Sequence, residues 1–232
     1  EEDLSGDLTV AEHGESALQA LLRGEVDLVQ SAPSQAFSSA QKGEKPPALH
    51  FAQINNTDGF FIVGRAPESD FTIKNLRGHR VIVDHGGQPL HMFNYACQKA
   101  GLQLEEFEAI DAGPADEMAT AFRRGEGDYV HLQGPAPQQL EAEGSGVVVG
   151  RVGDWVGRCA FSSLASRSDW LESDTAPSFM RAFRRARQWV NEAPATEVAA
   201  SETSYFPDTP VEVIAEAIGA YQALGCWSGQ VE

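Results

Sequence analysis

A five-residue pattern that occurs twice constrains the fold of this chain more than any other feature. Arg-Gly-Glu-x-Asp, followed by an apolar residue, Val, polar residues and a Pro, occurs within 22–35 and again within 123–139. The two copies are 101 residues apart, from Arg23 to Arg124. Solenoid repeats recur every ~20–50 residues, so this longer spacing fits the size of one lobe instead. We therefore predict two similar α/β lobes, each of which contains one copy of the element.

Helical and strand patterns alternate along most of the chain. An amphipathic helix is predicted over 14–24, and short apolar strands are predicted at 7–11, 26–30, 59–65 and 80–84. Strands that alternate with helices of about 10–15 residues indicate βαβ units. The predicted fold class is therefore α/β, with mainly parallel sheets flanked by helices.

The composition and net charge of the chain argue against several classes of function. The chain of 232 residues has 17 Lys and Arg against 34 Asp and Glu, a net charge of −17. Such an acidic protein repels phosphate backbones and anionic lipids, so we predict neither a nucleic-acid nor a membrane-surface role. No apolar run reaches the ~20 residues of a membrane helix. The first ten residues lack the basic start and apolar centre of a signal peptide, so we expect a soluble chain or a mature form whose signal has been removed.

Reactive and metal-binding signatures are missing from the sequence. Cys97, Cys159 and Cys226 include no Cys-x-x-Cys pair, and the six His residues include no His-x-x-x-His pair. We interpret the cysteines as small buried residues and predict no metal, no cofactor and no catalytic residue. The arginines of 181–187 are interpreted as a solvated helix face.

The segment "VDHGGQPLHMF" is the strongest local signal for a ligand. A buried strand ends at Asp84, two glycines follow, and a helix begins near Pro89. Glycines let a backbone approach a ligand closely, and free N–H groups at a helix start favour a negative or electron-rich group. An ordinary glycine turn before a helix is the alternative interpretation.

Six weak motifs, taken in order, resemble a known family. They are "ALQALLRGEVDLVQSAP", "FFIVGR", "LRGHRVIVDHGGQPLHMF", "ACQKAGL", "EMATAFRRGEGDYVHLQGPAP" and "YQALGCW", and they span residues 8–227. Together they resemble bacterial extracytoplasmic solute-binding proteins of ABC importers. The group in question serves sulfonates, taurine, nitrate and pyrimidines and includes the NMT1/THI5-like, or thiamine-pyrimidine, proteins.

The resemblance implies a two-lobed periplasmic-binding-protein fold of type II, with a ligand cleft between the lobes. The implied lobes are 1–60 with 157–232, and 61–156. Members of the family usually begin with one further βα unit, which is missing here, so we expect a truncated chain or an unusual first lobe. The implied protein is a periplasmic monomer that delivers its ligand to an ABC permease.

The same resemblance places candidate ligand residues in the loops that follow the strands. Gln88 stands where the family often has a Ser of a Gly-Ser-x-x-His pattern, and His91 stands at the His. Asn55 and Thr57 lie in "NNTDG", which is either a hinge or a surface turn. Trp155 could stack on a ligand and Arg158 could pair with an acid group; the alternative is a core tryptophan and a surface arginine. The full set of candidate ligand residues is His13, Ser31, Asn55, Thr57, His85, Gly86, Gly87, Gln88, His91, Gln133, Trp155 and Arg158.

The function predicted from the sequence is capture of a small polar or anionic organic ligand by lobe closure. The ligand is expected to be sulfonate-, carboxylate- or pyrimidine-like. Two alternatives remain: an enzyme on the same fold, such as a desulfinase with Cys159 as nucleophile or a pyrimidine synthase, and a ligand-sensing domain.

Overall fold

The computed structural model describes residues 4–10, 17–37, 41–43, 46, 48–84 and 86–229. The chain divides into two compact units. Unit 1 comprises 1–56, 160–192 and 227–232, and unit 2 comprises 57–159 and 193–226. Among the described residues, no helix has the length and apolar character needed to cross a membrane.

Unit 2 is built on a five-stranded sheet in the order β5-β4-β6-β3-β7. Helices lie on both sides of this sheet, and three further helices complete the unit. Its strands are β3 (Phe60–Gly64), β4 (Arg80–Val83), β5 (Glu108–Asp111), β6 (Tyr129–Gln133) and β7 (Val147–Arg151). Its helices are α2 (Gly87–Ala100), α3 (Ala115–Arg123), α4 (Ala136–Ala142), α5 (Val152–Val156), α8 (Ala195–Glu202) and α9 (Val211–Leu224).

The alternation of side chains along β6 divides the core of unit 2 into two layers. Val130 and Leu132 point to the face covered by α3 and α4, where they pack with Phe122 and Leu140. His131 points to the opposite face, which α2 covers. Both layers are buried, which explains why these strands are apolar without interruption.

Pairing in this sheet is mixed rather than mainly parallel. β4 is parallel to β5 and to β6, but β3 is antiparallel to both β6 and β7. β3 is antiparallel because the chain enters the sheet at the edge where β6 ends. Phe60, at the start of β3, pairs with Gln133 at the end of β6. The α/β class is confirmed, whereas the parallel majority expected from the alternation is not found among the described pairs.

Within its described ranges, unit 1 contains a three-stranded sheet in the order β1-β8-β2 together with the α-helices given at the end of this paragraph. β1 and β8 are antiparallel, with Leu28 opposite Ser166. The strand predicted at 7–11 is wrong over its described part, because residues 7–10 are exposed and form no strand. The elements are β1 (Leu28–Ser31), β2 (Leu49–Thr57), β8 (Arg158–Ser166), α1 (Ala17–Arg23), α6 (Ser168–Leu171) and α7 (Thr175–Glu192).

The repeated sequence element has the same local structure in each unit. Helix α1 ends with Gly24 in the left-handed region, at φ 76°, and helix α3 is followed by Gly125 at φ 85°. In both copies the Gly N–H and the next Glu N–H bond back to helix carbonyls, as in a Schellman motif. The Arg-Gly-Glu pattern is therefore a helix stop that turns the chain into a strand.

The two compact units differ from the lobes implied by the resemblance by a few residues at 57–60 and 157–159 and by one long segment. Residues 193–226 group with unit 2, whereas the predicted lobe contained all of 157–232. Helix α9 explains the grouping because it packs on α4 and α8 of unit 2. The assignment of segments to lobes that move together remains a prediction.

Arg187 corrects the interpretation of the arginine run as a solvated face. Its side chain is 8% exposed and donates to three backbone carbonyls of unit 1. The acceptors are Ile54 at 3.3 Å, Gly229 at 2.8 Å and Ser228 at 3.2 Å. Burial lowers the pKa of this guanidinium. One face of α7 therefore anchors the segment that follows α9 to the end of β2.

Replacing Arg187 with Met is expected to destabilise unit 1 by roughly 2–4 kcal/mol, since the buried guanidinium and its hydrogen bonds to three carbonyl groups would be lost. Arg184 lies on the same helix with an exposed side chain, so Arg184→Met provides a matched control expected to change stability by less than about 0.5 kcal/mol. Urea unfolding of both variants measures the difference. Equal stability of the two variants would contradict the anchoring role of Arg187.

Candidate functional site

One edge of the unit 2 sheet gathers five of the twelve residues that the sequence predicted for ligand binding. The parallel strands β4, β5 and β6 end there, with Val83 opposite Asp111 at the ends of the first two. β3 begins at the same edge, beside Gln133. In open α/β sheets, ligands bind outside the carboxyl ends of the strands. The edge is therefore the candidate binding surface of unit 2.

The start of α2 is the central feature of this edge. Gly86 is extended, Gly87 has a φ of 66°, and no side chain caps the helix. The first turn contains no acidic residue. Asp84 accepts a hydrogen bond from the Gly86 N–H at 3.1 Å, which fixes the turn. A Cβ placed on Gly86 would meet no atom within 4 Å, so the space next to this backbone is open.

Gln88 and His91 lie on the first turns of the same helix, as predicted. Gln88 is half-buried, and His91 is exposed with Nδ1 at 2.6 Å from the Gly87 carbonyl. Gln133 ends the neighbouring strand β6, and its side chain is exposed. The structure thus brings Gly86, Gly87, Gln88, His91 and Gln133 to one sheet edge, where they offer uncharged or titratable hydrogen-bonding groups.

Thr57, Trp155 and Arg158 belong to the same unit but differ in their surroundings. Thr57 is buried, and its hydroxyl donates to the Gly157 carbonyl at 3.3 Å. The ring of Trp155 packs against Phe71 at 6.0 Å between centroids. Both side chains therefore have structural partners. Arg158 is exposed and has no ion-pair partner among the described residues, which leaves its guanidinium available for an acid group.

The remaining candidates lie in unit 1 or outside the described residues. Ser31 is buried and donates to Gln35 Oε1 at 2.9 Å. Asn55 Oδ1 accepts from Trp227 Nε1 at 3.1 Å. The segment "NNTDG" is not a surface turn, because Asn56, Thr57 and Asp58 are buried. His13 and His85 lie outside the residues that the structure describes.

Asp58 is a buried carboxyl group that sequence reasoning missed. It is 0% exposed, and its Oδ1 accepts from the Phe60 N–H at 2.7 Å. Its Oδ2 has no hydrogen-bond partner in the described part of the chain. Burial raises the pKa of Asp58 to about 7. The sequence was interpreted only as a hinge or a surface turn in "NNTDG", and neither interpretation gives information on the burial of Asp58.

His131 is a second buried polar residue, set back from the edge along β6. Its ring lies between Phe60, at 4.6 Å, and Phe93, at 5.0 Å between centroids. Neither ring nitrogen has a hydrogen-bond partner among the described residues. Burial lowers the pKa of His131 to about 3, so the ring is neutral at physiological pH. The apolar residues on both sides of His131 in the strand were the sequence signal that could have predicted this burial.

The loop after β6 is held by the C-terminal helix of unit 2. Tyr221, on α9, accepts a hydrogen bond from the Gly134 N–H at 2.9 Å. Its ring packs on Phe61 at 5.6 Å. Burial raises the pKa of Tyr221, so its phenol stays protonated. A residue 87 positions away in sequence therefore fixes the backbone next to Gln133, a link that no local pattern indicates.

The cysteines are buried or half-buried thiols in the structure. Burial raises the pKa of Cys159 to about 11 and those of Cys97 and Cys226 to about 12. The negative charge of Asp58 acts in the same direction on Cys159. A nucleophilic cysteine needs the thiolate, so this environment opposes the nucleophile considered for Cys159.

Comparison with known proteins assigns this chain to a family. Residues 1–197 match the family described as NMT1/THI5 like. The chain belongs to the NMT1/THI5-like family. This NMT1/THI5-like chain is also 27% identical over 232 residues to YtlA of Bacillus subtilis strain 168, which is named as a candidate binding protein. The alignment covers 98% of the chain and 70% of YtlA.

Solved structures of periplasmic binding proteins share the fold of the NMT1/THI5-like chain. The aliphatic sulphonate binding protein SsuA of Escherichia coli aligns with a TM-score of 0.69 at 18% identity, covering 88% of this chain and 68% of SsuA. The alkanesulfonate-binding protein SsuA of Xanthomonas axonopodis pv. citri, bound to MOPS, aligns with a TM-score of 0.63 at 18% identity. That alignment covers 88% of this chain and 69% of the other.

Proposed function

We propose that this chain is the solute-binding component of an ABC importer and that it captures a small anionic or polar organic molecule. The observation that carries the proposal is the uncapped start of α2 at the carboxyl edge of the unit 2 sheet, with open space beside Gly86. Family membership and the fold shared with sulfonate-binding proteins support it.

The chemistry of the edge suits a sulfonate, a carboxylate or a pyrimidine. Backbone N–H groups at the start of a 14-residue helix carry partial positive charge and favour an anion or a ring acceptor. Gln88 and Gln133 add uncharged hydrogen-bonding groups, and Arg158, an exposed residue of the same unit, is the proposed cation. The half-buried Asp84 carboxylate lies at the same turn and disfavours highly charged anions, which favours ligands with a single charge or none.

Capture would proceed by a population shift between open and closed forms. A ligand that touches groups of both units stabilises the closed form in proportion to its preference for that form. Ser31 and Asn55 are the proposed contributors from unit 1. An extracytoplasmic location, a monomeric state and delivery to an ABC permease are parts of the same proposal.

A thermal-shift screen followed by calorimetry tests the ligand class. The panel contains taurine, alkyl and aryl sulfonates, nitrate, aromatic carboxylates and aminopyrimidines. A ligand present at ~100 times its Kd adds about 2.7 kcal/mol of stability. For a protein of this size that corresponds to a rise in Tm of roughly 5–10 °C. No rise with any compound would contradict the proposed ligand class, and chemical turnover of a bound compound would favour an enzyme instead.

Replacing Gln88 with Ala is expected to weaken binding of a panel ligand about five- to tenfold, because one hydrogen bond at the start of α2 would be lost. His91→Ala is expected to have a similar effect. Gln98→Ala changes the same residue type on an exposed position near the other end of this helix and serves as the control. Calorimetric Kd values that are equal for all three variants would contradict the placement of the site.

A further inference from the structure

Tyr221 is inserted between two strand ends at the candidate edge of unit 2. A Cβ placed on Gly59, just before β3, would lie 2.8 Å from Tyr221 Cε1. A Cβ placed on Gly134, just after β6, would lie 3.0 Å from the Tyr221 phenol oxygen. A side chain at either position would crowd the tyrosine, so glycine at both lets the backbone pack directly against it. The phenol thus lies against the backbone from which Gln133 extends.

Two hydrogen bonds reach the phenol oxygen of Tyr221. The Gly134 N–H donates to it at 2.9 Å. Burial raises the pKa of Tyr221, whereas hydrogen bonds from the Gly134 N–H and the Gln133 side chain lower it. A hydrogen bond lowers the pKa of a phenol when it is donated to the oxygen, because it stabilises the charged form. The Gln133 side chain therefore donates through its NH2 group.

A second glutamine beside the phenol supports this orientation of the Gln133 amide. Gln138 Oε1 lies 3.1 Å from the Cβ position on Gly134, next to the Tyr221 phenol oxygen. It is buried and has no hydrogen-bond partner in the described part of the chain. A reversed Gln133 amide would place two carbonyl oxygens beside a phenol that has only one O–H proton.

The bond to Tyr221 determines which group of Gln133 is presented to a ligand. A glutamine amide has its donors on nitrogen and its acceptor on the carbonyl oxygen. The nitrogen of Gln133 is held by the phenol, and the residue is exposed at the end of β6. Gln133 therefore offers its carbonyl oxygen to a molecule bound at this edge.

We propose that Tyr221 is a positioning residue of the ligand site and that it acts through Gln133. By directing the Gln133 carbonyl oxygen to the ligand, it favours a ligand that carries an N–H donor near its anionic or acceptor group. The inference rests on the proposed function, because it needs a ligand at the carboxyl edge of the unit 2 sheet.

The edge then combines two different kinds of hydrogen-bonding group. The start of α2 presents N–H donors to an acceptor group of the ligand, whereas Gln133 presents an acceptor. A compound with an N–H donor near a sulfonate, a carboxylate or a ring nitrogen satisfies both. A compound of the same shape with a methyl group in place of the amino group leaves the Gln133 carbonyl without a donor.

Calorimetry on the full chain with two matched pairs of compounds tests this preference. Taurine has an ammonium group where propane-1-sulfonate has a methyl group, and 4-aminopyrimidine has an amino group where 4-methylpyrimidine has a methyl group. In the pair that binds, we expect the amino compound to bind about tenfold more tightly than the methyl compound. Equal affinities within the pair would overturn the proposal.

Tyr221→Phe tests the role of the phenol, because it keeps the ring next to Phe61 but removes the acceptor for Gln133. We expect it to weaken binding of the amino compound about tenfold and of the methyl compound less than twofold. Tyr205→Phe, at an exposed tyrosine of the same unit, is the control and should change neither affinity by twofold. Equal weakening of both compounds by Tyr221→Phe, or none, would overturn the proposal.

Gln133→Ala completes a double-mutant cycle with Tyr221→Phe. If Tyr221 acts through Gln133, the double variant binds the amino compound no more weakly than Gln133→Ala alone. A purely structural role of Tyr221 would instead add its own loss of affinity in the double variant, and that result would overturn the proposal.

The side-chain N–H resonances of Gln133 test the positioning step without a ligand. We expect one of the two protons to be shifted by the phenol in the unchanged protein and to lose that shift in Tyr221→Phe. The same resonances in both proteins would overturn the role of Tyr221. If the resonances changed as expected but none of the four compounds bound, the proposed ligand class would be contradicted, and with it the preference for an N–H donor.

Discussion

Asp58→Asn is expected to stabilise the protein increasingly as the pH rises, by roughly 3 kcal/mol more at pH 8 than at pH 5 relative to the unchanged chain. Burial raises the pKa of Asp58 from its ordinary value of 3.8 to about 7 in the folded state. The folded state therefore binds a proton more tightly than the unfolded state does. The stability from this group is fully present below pH 3.8 and is lost as the pH rises through about 7.

The Asn side chain keeps the acceptor for the Phe60 N–H but cannot ionise. Burial of the Asn amide group changes the free energy of unfolding by the same amount at every pH. The dependence of stability on pH therefore tests the pKa of Asp58. The charge of Asp58 also reaches Cys159, Cys226 and Tyr221, whose pKa values it raises. Urea unfolding at pH 5, 6, 7 and 8 at constant ionic strength measures the effect.

A matched control is Asp208→Asn, at an exposed turn of the same unit. Its effect on stability is expected to stay within about 0.5 kcal/mol at every pH. If Asp58→Asn and Asp208→Asn showed parallel profiles, the raised pKa of Asp58 would be refuted.

His131→Leu is expected to have the opposite pH profile, with a gain of roughly 3 kcal/mol relative to the unchanged chain as the pH falls from 6.5 to 4. Burial lowers the pKa of His131 from its ordinary value of 6.5 to about 3. The unfolded state therefore binds the proton more tightly over this range. The stability from neutral His131 is present above pH 6.5 and is lost on acidification towards pH 3, and Leu removes that loss.

Urea unfolding between pH 4 and pH 7 measures this second effect. His91→Ala provides a control, since that ring is exposed at the start of α2. Parallel stability profiles of His131→Leu and the unchanged protein over this pH range would show that His131 does not resist protonation in the folded state.

The two buried groups compensate each other in the unchanged protein. Between pH 4 and pH 6.5, the unfolded state gains a proton at His131 while the folded state holds one at Asp58, so their slopes have opposite signs. Each single variant should reveal the slope of the other group, and the double variant should have a flat profile again. A double variant as steep as either single variant would show that the two pKa shifts are not independent.

The fold class could be predicted from the sequence because it depends on local periodicity. The Arg-Gly-Glu element gives the clearest case: Gly24 and Gly125 both adopt positive φ, and each ends a helix and leads into a strand. Positive φ favours glycine irrespective of the rest of the fold, so this signal is readable from the sequence. The antiparallel direction of β3 could not be predicted from the sequence, because it depends on where the chain enters unit 2.

The residues of the candidate site also fall into those that local sequence predicts and those that depend on tertiary contacts. The sequence by itself determined that Gly86, Gly87, Gln88 and His91 lie at a strand-to-helix turn, since glycines and Pro89 mark such a turn locally. Only the tertiary structure decided the burial of Asp58, His131 and Arg187, because burial depends on contacts between residues far apart in the chain. The sequence thus specified which segments form and where they end, whereas packing alone determined which polar groups lost contact with water and shifted their pKa.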